Sequence, residues 1–382
     1  MPVNESDWPV HLQTRLVSGP DAFSALKSEC SGLTVLIITS AGFTKRGVVA
    51  ELKQYLAAAT EVLLFDGITP NPELDLLDKL TTQFRPLKPQ LLIALGGGSA
   101  LDAAKVLAQT LVQPDQPDGL LNLHFRQKQP LNWLPSLPLI TIPTTAGTGA
   151  EVTPFATVWD GIFHKKYSLA HQGMYPVLTI LQPQLTLSLP WQETLYTALD
   201  TVSHSLETLW NKHNTPVSRN YAVQALELVM QHLESVLTQP DQLKGREQLQ
   251  KASFLAGLAI SINRTAIAHS ISYPLTSHYA VPHGLACSFS LPAIIELVMS
   301  KQAVSKDIQP LLARLSDWLL QLPLYSELVQ YLSWQKLYEL VPEMVNPGRA
   351  DNFVLPVHEQ RITQVLQRSE QMAKEQKTTG TI

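Results

Sequence analysis

Short apolar runs alternate with longer amphipathic stretches through the first half of the chain. Four runs have the length and composition of buried strands: 34–39, 61–65, 91–95 and 138–143. Three stretches between them have the spacing of helices: 46–58, 73–84 and 99–112. Continuous apolar strands that are connected by helices form parallel sheets covered on both faces, so this half is predicted to be an α/β domain.

The pattern changes at about residue 192 and becomes helical almost throughout. Apolar residues recur three and four positions apart, as at Ala222, Leu226, Val229 and Leu233. Five stretches predict long helices: 194–211, 218–237, 243–262, 285–299 and 304–322. A proline-bearing segment at 183–190 separates the alternating pattern of the first half from the helical pattern of the second. We therefore predict an α/β nucleotide-binding domain at 1–187 and an all-helical domain at 188–382.

Composition narrows the class of protein and its partners. A chain of 382 residues exceeds one usual hydrophobic core, and 45% hydrophobic with 16% charged residues is typical of soluble globular proteins. The net charge of −4 predicts neither a nucleic-acid nor a membrane partner. Cys30 and Cys287 lack CxxC spacing, so neither a disulfide framework nor a thiolate zinc site is indicated. With no apparent signal peptide, a cytoplasmic location is expected.

A glycine-rich turn lies between the third predicted strand and the helix after it, in the sequence GGGSALDAAK. Its glycines let backbone approach a pyrophosphate, and the following helix N-terminus supplies N–H groups. The spacing differs from GxGxxG because Leu101 stands at the third glycine position. A nucleotide-binding turn is favoured, and a tight structural turn is the alternative.

A second loop, PTTAGTGAEVT, follows the next predicted strand and is rich in threonine and glycine. Its hydroxyl groups suit recognition of ribose and of the nicotinamide amide, although a plain connection would have similar composition. Ligands collect at the carboxyl ends of parallel strands. Two such loops after successive strands therefore predict a dinucleotide site.

The helical half contains candidate metal ligands. Asp200 and His204 are four residues apart in a predicted helix and share one face, and His269, His278 and His283 follow downstream. One carboxylate with imidazoles suits Fe²⁺ or Zn²⁺. A surface contact along the helix would have the same Asp-x-x-x-His spacing. Spacing alone does not connect Asp200 to His269.

Together these motifs, in this order, resemble the iron-containing alcohol dehydrogenase family over most of the chain. The resemblance implies a dehydroquinate synthase-like architecture, with a nucleotide-binding α/β domain, an all-helical domain and an active-site cleft between them. It implies NAD or NADP as cofactor and Fe²⁺, alternatively Zn²⁺, as metal. The implied metal ligands are Asp200, His204, His269 and His283. The implied cofactor-binding residues are Asn71, Gly97, Gly98, Ser99, Asp102, Thr144, Thr145, Thr148, Thr153 and Lys166.

Two positions depart from the family pattern. Many members have a second histidine four residues after His269, where this chain has Tyr273. We expect the Tyr273 hydroxyl, a water molecule or the ribose to relay the alcohol proton instead. NAD-preferring relatives often carry an aspartate where this chain has Ser40, a further candidate cofactor contact. Ser40 with Lys45 and Arg46 nearby leaves NADP open and mildly favours it, unless both cations are simply solvated.

The segment 262–274 resembles the branch that reduces phosphonoacetaldehyde to 2-hydroxyethylphosphonate. Arg264 is a candidate ligand for an anionic substrate, with helix capping or bridging as the alternative. His278 is a second candidate substrate contact, and a surface or packing role is its alternative.

The resemblance implies a metal-dependent aldehyde reductase in which His269 and Tyr273 serve catalysis. Substrate would be a small aldehyde or alcohol, and a homodimer is expected. A carbon–oxygen lyase resembling 3-dehydroquinate synthase and a catalytically silent nucleotide-binding protein are the alternatives. Few lysines and arginines occur in 243–283, which argues against a polyanionic sugar-acid phosphate pocket.

Overall fold

The computed structural model describes residues 13–163 and 165–379 of the chain. The chain divides between Leu189 and Pro190 into two compact units. The boundary predicted from the sequence, 187/188, lies two residues before this division.

The N-terminal unit is built on a six-stranded parallel sheet in the order β1-β8-β5-β4-β2-β3, with β6 and β7 as a separate antiparallel hairpin. The strands are β1 (Arg15–Ser18), β2 (Thr34–Ile38), β3 (Glu61–Phe65), β4 (Leu91–Gly96), β5 (Leu139–Pro143), β6 (Phe155–Asp160), β7 (Lys165–Ala170) and β8 (Leu178–Leu181). The predicted parallel sheet is confirmed. Only four of its six strands were predicted, because β1 and β8 are four residues long and carry little periodic signal.

Helices cover both faces of this sheet: α1 (Leu26–Glu29), α2 (Ala41–Lys45), α3 (Val48–Gln54), α4 (Leu74–Phe84) and α5 (Gly98–Thr110). Along β2, Leu36 and Ile38 pack into one hydrophobic cluster, and Val35 and Ile37 pack into another. Burial of alternate residues on opposite faces explains why the strands are apolar throughout. The predicted helix 46–58 corresponds to α3, which is shorter, and α2 before it was not predicted; Gly47, at φ +81°, separates the two helices.

All named secondary-structure elements of the C-terminal unit are helices among its described residues. Its helices are α6 (Trp191–Leu209), α7 (Pro216–Thr238), α8 (Leu243–Asn263), α9 (Ile267–Tyr279), α10 (His283–Ser288), α11 (Leu291–Ser300), α12 (Gln309–Leu319), α13 (Leu324–Leu328), α14 (Trp334–Glu339) and α15 (Glu359–Thr379). The predicted all-helical domain is confirmed. Helix α6 is buried on every side from Ala198 to Leu209, so it is the central helix of this unit.

The N-terminus of α10 packs directly on the backbone of α6. A Cβ atom at Gly284 would lie 1.7 Å from the carbonyl oxygen of Tyr196, so only glycine permits this approach. The predicted helix 285–299 was wrong in one respect, because it is divided between α10 and α11, with Pro292 in the first turn of α11.

Among the described residues, one stretch, His283–Ser300, is long and apolar enough to cross a membrane. Of these residues, 72% are buried within the protein, as is usual for a core helix of a globular protein. The bent pair α8 and α9 passes the same test only when both helices are counted as one span.

Candidate metal centre and cofactor site

The four predicted metal ligands converge in the helical unit. Asp200 and His204 lie one turn apart on α6, while α9 contributes His269 and α10 begins at His283. The Oδ1 atom of Asp200 lies 3.6 Å from His204 Nε2 and 3.7 Å from His269 Nε2. It also lies 3.9 Å from His283 Nε2. Three helices therefore direct one carboxylate oxygen and three imidazole nitrogens towards one another.

The chemistry of this donor set fits a divalent metal ion. The separations of 3.6–3.9 Å exceed hydrogen-bond lengths and approach the roughly 3.0–3.5 Å expected between ligand atoms that share one ion. Asp200, His204 and His269 are each less than 5% exposed, whereas the His283 side chain is 34% exposed. A buried carboxylate with three imidazoles suits Fe²⁺ or Zn²⁺ and leaves the site accessible on the His283 side.

Glu207 supports this cluster and was not identified from the sequence. It is fully buried on α6, and Oε2 accepts a hydrogen bond from His269 Nδ1 at 2.6 Å. Its Oε1 accepts from the backbone N–H groups of Ala268 and His269. Burial raises the pKa of Glu207 to about 7. The Nδ1 contact orients the imidazole so that Nε2 faces Asp200, as carboxylates do behind metal-binding histidines. Its spacing from Asp200 and His204, seven and three residues along one helix face, was the available signal.

Cys287 is a second residue that the sequence did not assign to the cluster. One ligand atom from each of Asp200, His269, His283 and Cys287 can be chosen so that all four lie within 4.8 Å of one another. The Cys287 Sγ atom lies 3.6 Å from His283 Nδ1 and 3.7 Å from Nε2. The sequence indicated no thiolate site because CxxC spacing is absent. The fold instead places this thiol beside His283, one turn away on the same helix, and near Asp200 and His269, which are distant in sequence.

The position of Tyr273 in α9, one turn after His269, is secured by an arginine. Arg349 Nε donates a hydrogen bond to the Tyr273 hydroxyl oxygen at 2.9 Å. Both side chains are partly buried. This contact fixes the hydroxyl on the helix face that also carries His269.

The two candidate substrate contacts lie in different settings. Arg264 follows the last residue of α8 and is exposed, with φ 62° and ψ 179°, a backbone conformation nearly confined to glycine. His278 Nε2 lies 2.8 Å from Glu343 Oε2, and both side chains are substantially exposed. For His278 this contact is consistent with the surface role that the sequence left open.

In the N-terminal unit, the glycine turn and the threonine loop meet at the ends of β4 and β5. These strands are paired in parallel, and Thr144 N donates to Gly96 O at 3.0 Å. A Cβ atom at Gly97 would lie 3.2 Å from Thr145 Cγ2, and one at Gly98 would lie 2.7 Å from Thr148 Cγ2. The threonines therefore occupy the space that side chains on the turn would need.

Two further predicted cofactor contacts lie at the same edge of the sheet. Asn71, at φ 61°, donates its backbone N–H to Ser99 Oγ at 3.2 Å, next to the glycine turn. Ser40 precedes α2 and forms an isolated bridge with Gly67, which follows β3. Arg46 lies over the Phe43 ring at 4.5 Å. Residues after β2, β3, β4 and β5 thus gather at the carboxyl edge of the parallel sheet.

Other predicted cofactor residues belong to a buried charged network beneath the turn. Lys105 Nζ donates to Thr153 Oγ1 and to the Phe155 carbonyl, both at 2.9 Å. Asp102 accepts from the backbone N–H of Thr157. These hydrogen bonds fix α5 to the threonine loop and to β6. In this setting Asp102 and Thr153 support the site.

The charges of this network are shifted by burial. Desolvation raises the pKa of Asp102 and raises that of Glu151 to about 7. It lowers the pKa of Lys105 to about 8. Lys105 lies in the GGGSALDAAK motif, but the sequence pattern did not show that its charge is buried. The remaining predicted residue, Lys166, lies on β7 with Nζ 5.4 Å from the Trp159 ring centre.

Comparisons with known proteins agree with both units. A family model described as iron-containing alcohol dehydrogenase matches residues 13–183, and one described as the C-terminal part of the Fe-containing alcohol dehydrogenase family matches 194–344. The chain is 32% identical over 284 residues to the 1-propanol dehydrogenase PduQ of Salmonella typhimurium, covering 74% of this chain and 72% of that protein.

One further relative and one solved structure have names that refer to anionic two-carbon aldehydes. The phosphonoacetaldehyde reductase of Streptomyces viridochromogenes is 33% identical over 236 residues, covering 61% of this chain and 59% of that protein. The structure of sulfoacetaldehyde reductase from Bifidobacterium kashiwanohense in complex with NAD⁺ has a TM-score of 0.84 at 24% identity, covering 96% of this chain and 98% of that one. The latter match shows the shared fold.

Proposed function

The chain belongs to the iron-containing alcohol dehydrogenase family, and we propose that it interconverts a small aldehyde and its alcohol with NAD(P)H. The reaction would also require a metal ion held by Asp200, His204, His269 and His283. The family makes the chain an oxidoreductase of the alcohol and aldehyde dehydrogenase type. Members of this family use NAD(P) and iron, which supports the proposed cofactor and metal. The convergence of those four side chains is the observation that carries the proposal. We also propose a cytoplasmic homodimer without nucleic-acid or membrane partners.

The reaction balances as aldehyde, NAD(P)H and a proton giving alcohol and NAD(P)⁺. A bound metal ion would polarise the carbonyl group as a Lewis acid, and the nicotinamide would supply the hydride. Glu207 holds the His269 ring in the orientation that ligation needs. Tyr273, with its hydroxyl positioned by Arg349, is the candidate group that exchanges the alcohol proton. The glycine turn and the threonine loop are proposed to hold the pyrophosphate and the ribose.

Replacing one ligand tests the metal proposal. We expect His269→Ala to lower kcat/KM for aldehyde reduction by about 1000-fold or more, because several kcal/mol of transition-state stabilisation are lost. Bound Fe²⁺ or Zn²⁺, measured by elemental analysis, should fall in parallel. His232→Ala, on α7 of the same unit, is the matched histidine control. Full activity in a metal-free His269→Ala protein would refute the proposal.

The same assay separates the alternatives. A dehydroquinate synthase-like lyase recycles its nicotinamide, so it would show no net loss of NAD(P)H during turnover. A silent nucleotide-binding protein would bind NAD(P)H without reducing any aldehyde. Running each assay with NADH and with NADPH also tests whether Ser40, which adds no negative charge near a 2′-phosphate, favours NADPH.

For the substrate, we propose an anionic two-carbon aldehyde such as phosphonoacetaldehyde. Arg264 supports this proposal because the residue is exposed and its backbone holds a strained conformation next to α9. Strain of this kind costs about 1–3 kcal/mol and persists where function requires it. A planar guanidinium also matches phosphonate oxygens.

Kinetics on phosphonoacetaldehyde, sulfoacetaldehyde, glycolaldehyde and butanal test the substrate class. We expect higher kcat/KM values for the anionic aldehydes than for the neutral ones. In Arg264→Ala and in Arg264→Gly this ratio should fall at least about tenfold, which corresponds to about 1.4 kcal/mol. The glycine variant also relieves the backbone strain, so it should melt at a higher temperature than the alanine variant. Equal kcat/KM values for butanal and phosphonoacetaldehyde in the unmodified protein would contradict the substrate proposal while leaving the reaction type intact.

A further inference from the structure

The thiol of Cys287 lies within the cluster of proposed metal ligands, and no role has been assigned to it. Its Sγ atom is 3.6 Å and 3.7 Å from the two ring nitrogens of His283. The residue is fully buried. Four ligand atoms lie within 4.8 Å of one another, one from each of Cys287, Asp200, His269 and His283. Donors on opposite sides of one ion lie about 4.4 Å apart when the bonds are 2.0–2.3 Å long, so this group is close to the size that one ion requires.

We propose that Cys287 is a further donor of the metal centre, beside Asp200, His269 and His283, and that its sulfur shifts the preference of the site towards thiophilic ions, Zn²⁺ and Co²⁺, relative to Fe²⁺. The inference rests on the proposed metal site. Imidazole and carboxylate alone discriminate little among these ions, whereas thiolate is a soft ligand. When sulfur binds the ion, the thiol proton passes to solvent.

The local structure holds Cys287 in place. It lies one turn after His283 on α10, so the two side chains share a helix face. Ser203 Oγ donates to the Cys287 carbonyl at 3.2 Å, and Ser288 Oγ donates to the Leu199 carbonyl at 2.9 Å. Both contacts join α10 to α6, the helix of Asp200. The sulfur is therefore held at a defined distance from that carboxylate.

The other cysteine shows what a structural thiol looks like in this protein. Cys30 is equally buried but packs in the apolar cluster with Val35 and Leu52. Burial raises the pKa of the Cys30 thiol to about 11, so that thiol is inert. A buried cysteine commonly serves as a small hydrophobic residue, and Cys30 fits that role. Cys287 instead faces imidazole rings and a carboxylate.

Absorption spectroscopy of the Co²⁺-loaded protein tests the proposal without an activity assay. Metal-free protein is titrated with Co²⁺, and a sulfur-to-cobalt charge-transfer band is expected in the near ultraviolet. The band should be absent in Cys287→Ser and Cys287→Ala and unchanged in the matched control Cys30→Ser. Circular dichroism confirms that each variant is folded. A folded protein that binds Co²⁺ with the same spectrum in the presence and absence of Cys287 would overturn the proposal.

Competition between metals provides the second measurement. The ratio of Zn²⁺ to Fe²⁺ affinities should fall about tenfold or more in Cys287→Ser, because a soft ligand has been replaced by a hard one. An unchanged ratio would count against Cys287 as a donor. Failure of the unmodified protein to bind either ion would instead refute the metal site itself, so the two proposals fail separately.

Discussion

Glu151 and Glu207, one in each unit, are buried to a similar degree but are held differently. Glu207 accepts hydrogen bonds from two backbone N–H groups and from His269. Glu151 belongs to the threonine loop and lies near Lys105, and its Oε1 atom has no hydrogen-bond partner among the described residues. Burial raises the pKa of both carboxyl groups to about 7. The difference suggests that Glu207 orients a functional group, whereas Glu151 costs stability when it is charged.

The two candidate sites, one in each unit, differ in the part of the chain that forms them. The cofactor turn is formed by backbone, and neighbouring threonines fill the space around its glycines. The metal cluster is formed by side chains from three helices, and the Glu207 carboxylate holds the His269 ring by a hydrogen bond. We therefore expect the turn to be sensitive to an added methyl group and the cluster to be sensitive to a change of hydrogen-bonding atom.

Among the three substitutions that test this comparison, removal of the Glu151 charge should have the largest effect, and the quantity it changes is the free energy of unfolding. The folded-state pKa of about 7 lies above the ordinary value of 4.5, so this carboxyl group contributes stability that is present below pH 4.5 and is lost as pH rises through 7. Glu151→Gln should therefore gain stability relative to the unmodified protein as pH rises, by on the order of 2–3 kcal/mol between pH 4.5 and 8.

Denaturant unfolding at several pH values measures this difference. Glu73→Gln, which makes the same change at an exposed carboxylate of the same unit, is the control for the substitution. A stability difference between Glu151→Gln and the unmodified protein that stays flat with pH would show that this carboxyl group carries no burial penalty.

Glu207→Gln should have the next largest effect, this time on metal binding. Amide and carboxylate have similar volumes, but the amide is a weaker partner for His269 Nδ1, and loss of such a partner typically lowers metal affinity 10–100-fold. Calorimetric titration of metal-free protein with Zn²⁺ measures the change. Glu343→Gln offers a matched carboxylate–histidine pair, with His278, at the surface. Equal losses in both variants would argue against an orienting role for Glu207.

Gly98→Ala should produce the smallest of the three effects. The new methyl group would lie 2.7 Å from Thr148 Cγ2, and relief of such overpacking costs about 1–3 kcal/mol, so NAD(P)H affinity should fall about tenfold. Adding Thr148→Ser removes that Cγ2 atom and should restore part of the affinity. In Gly42→Ala the nearest atoms belong to the movable end of Arg46, which makes it a suitable control. Unchanged cofactor affinity in Gly98→Ala would place the pyrophosphate elsewhere.

Sequence reasoning succeeded where the signal is local. The four central strands are continuous apolar runs because both sheet faces are buried, and the glycine turn lies next to them in the chain. The hairpin of β6 and β7 was not predicted, because only alternate residues of β6 are buried and most of β7 is exposed or half-buried, so neither strand is a continuous apolar run. The break between α10 and α11 was also missed, since amphipathic spacing continues across it.

The sequence by itself determined the fold class and the helix faces that carry candidate ligands, because periodicity and short motifs are properties of neighbouring residues. Only the tertiary structure decided that Asp200 meets His269 and that Glu207 and Cys287 join them. Packing of α6, α9 and α10 brings together side chains up to 87 positions apart, and no spacing rule connects such positions. The burial that shifts the pKa values of Glu151 and Lys105 likewise arises only once the chain has folded.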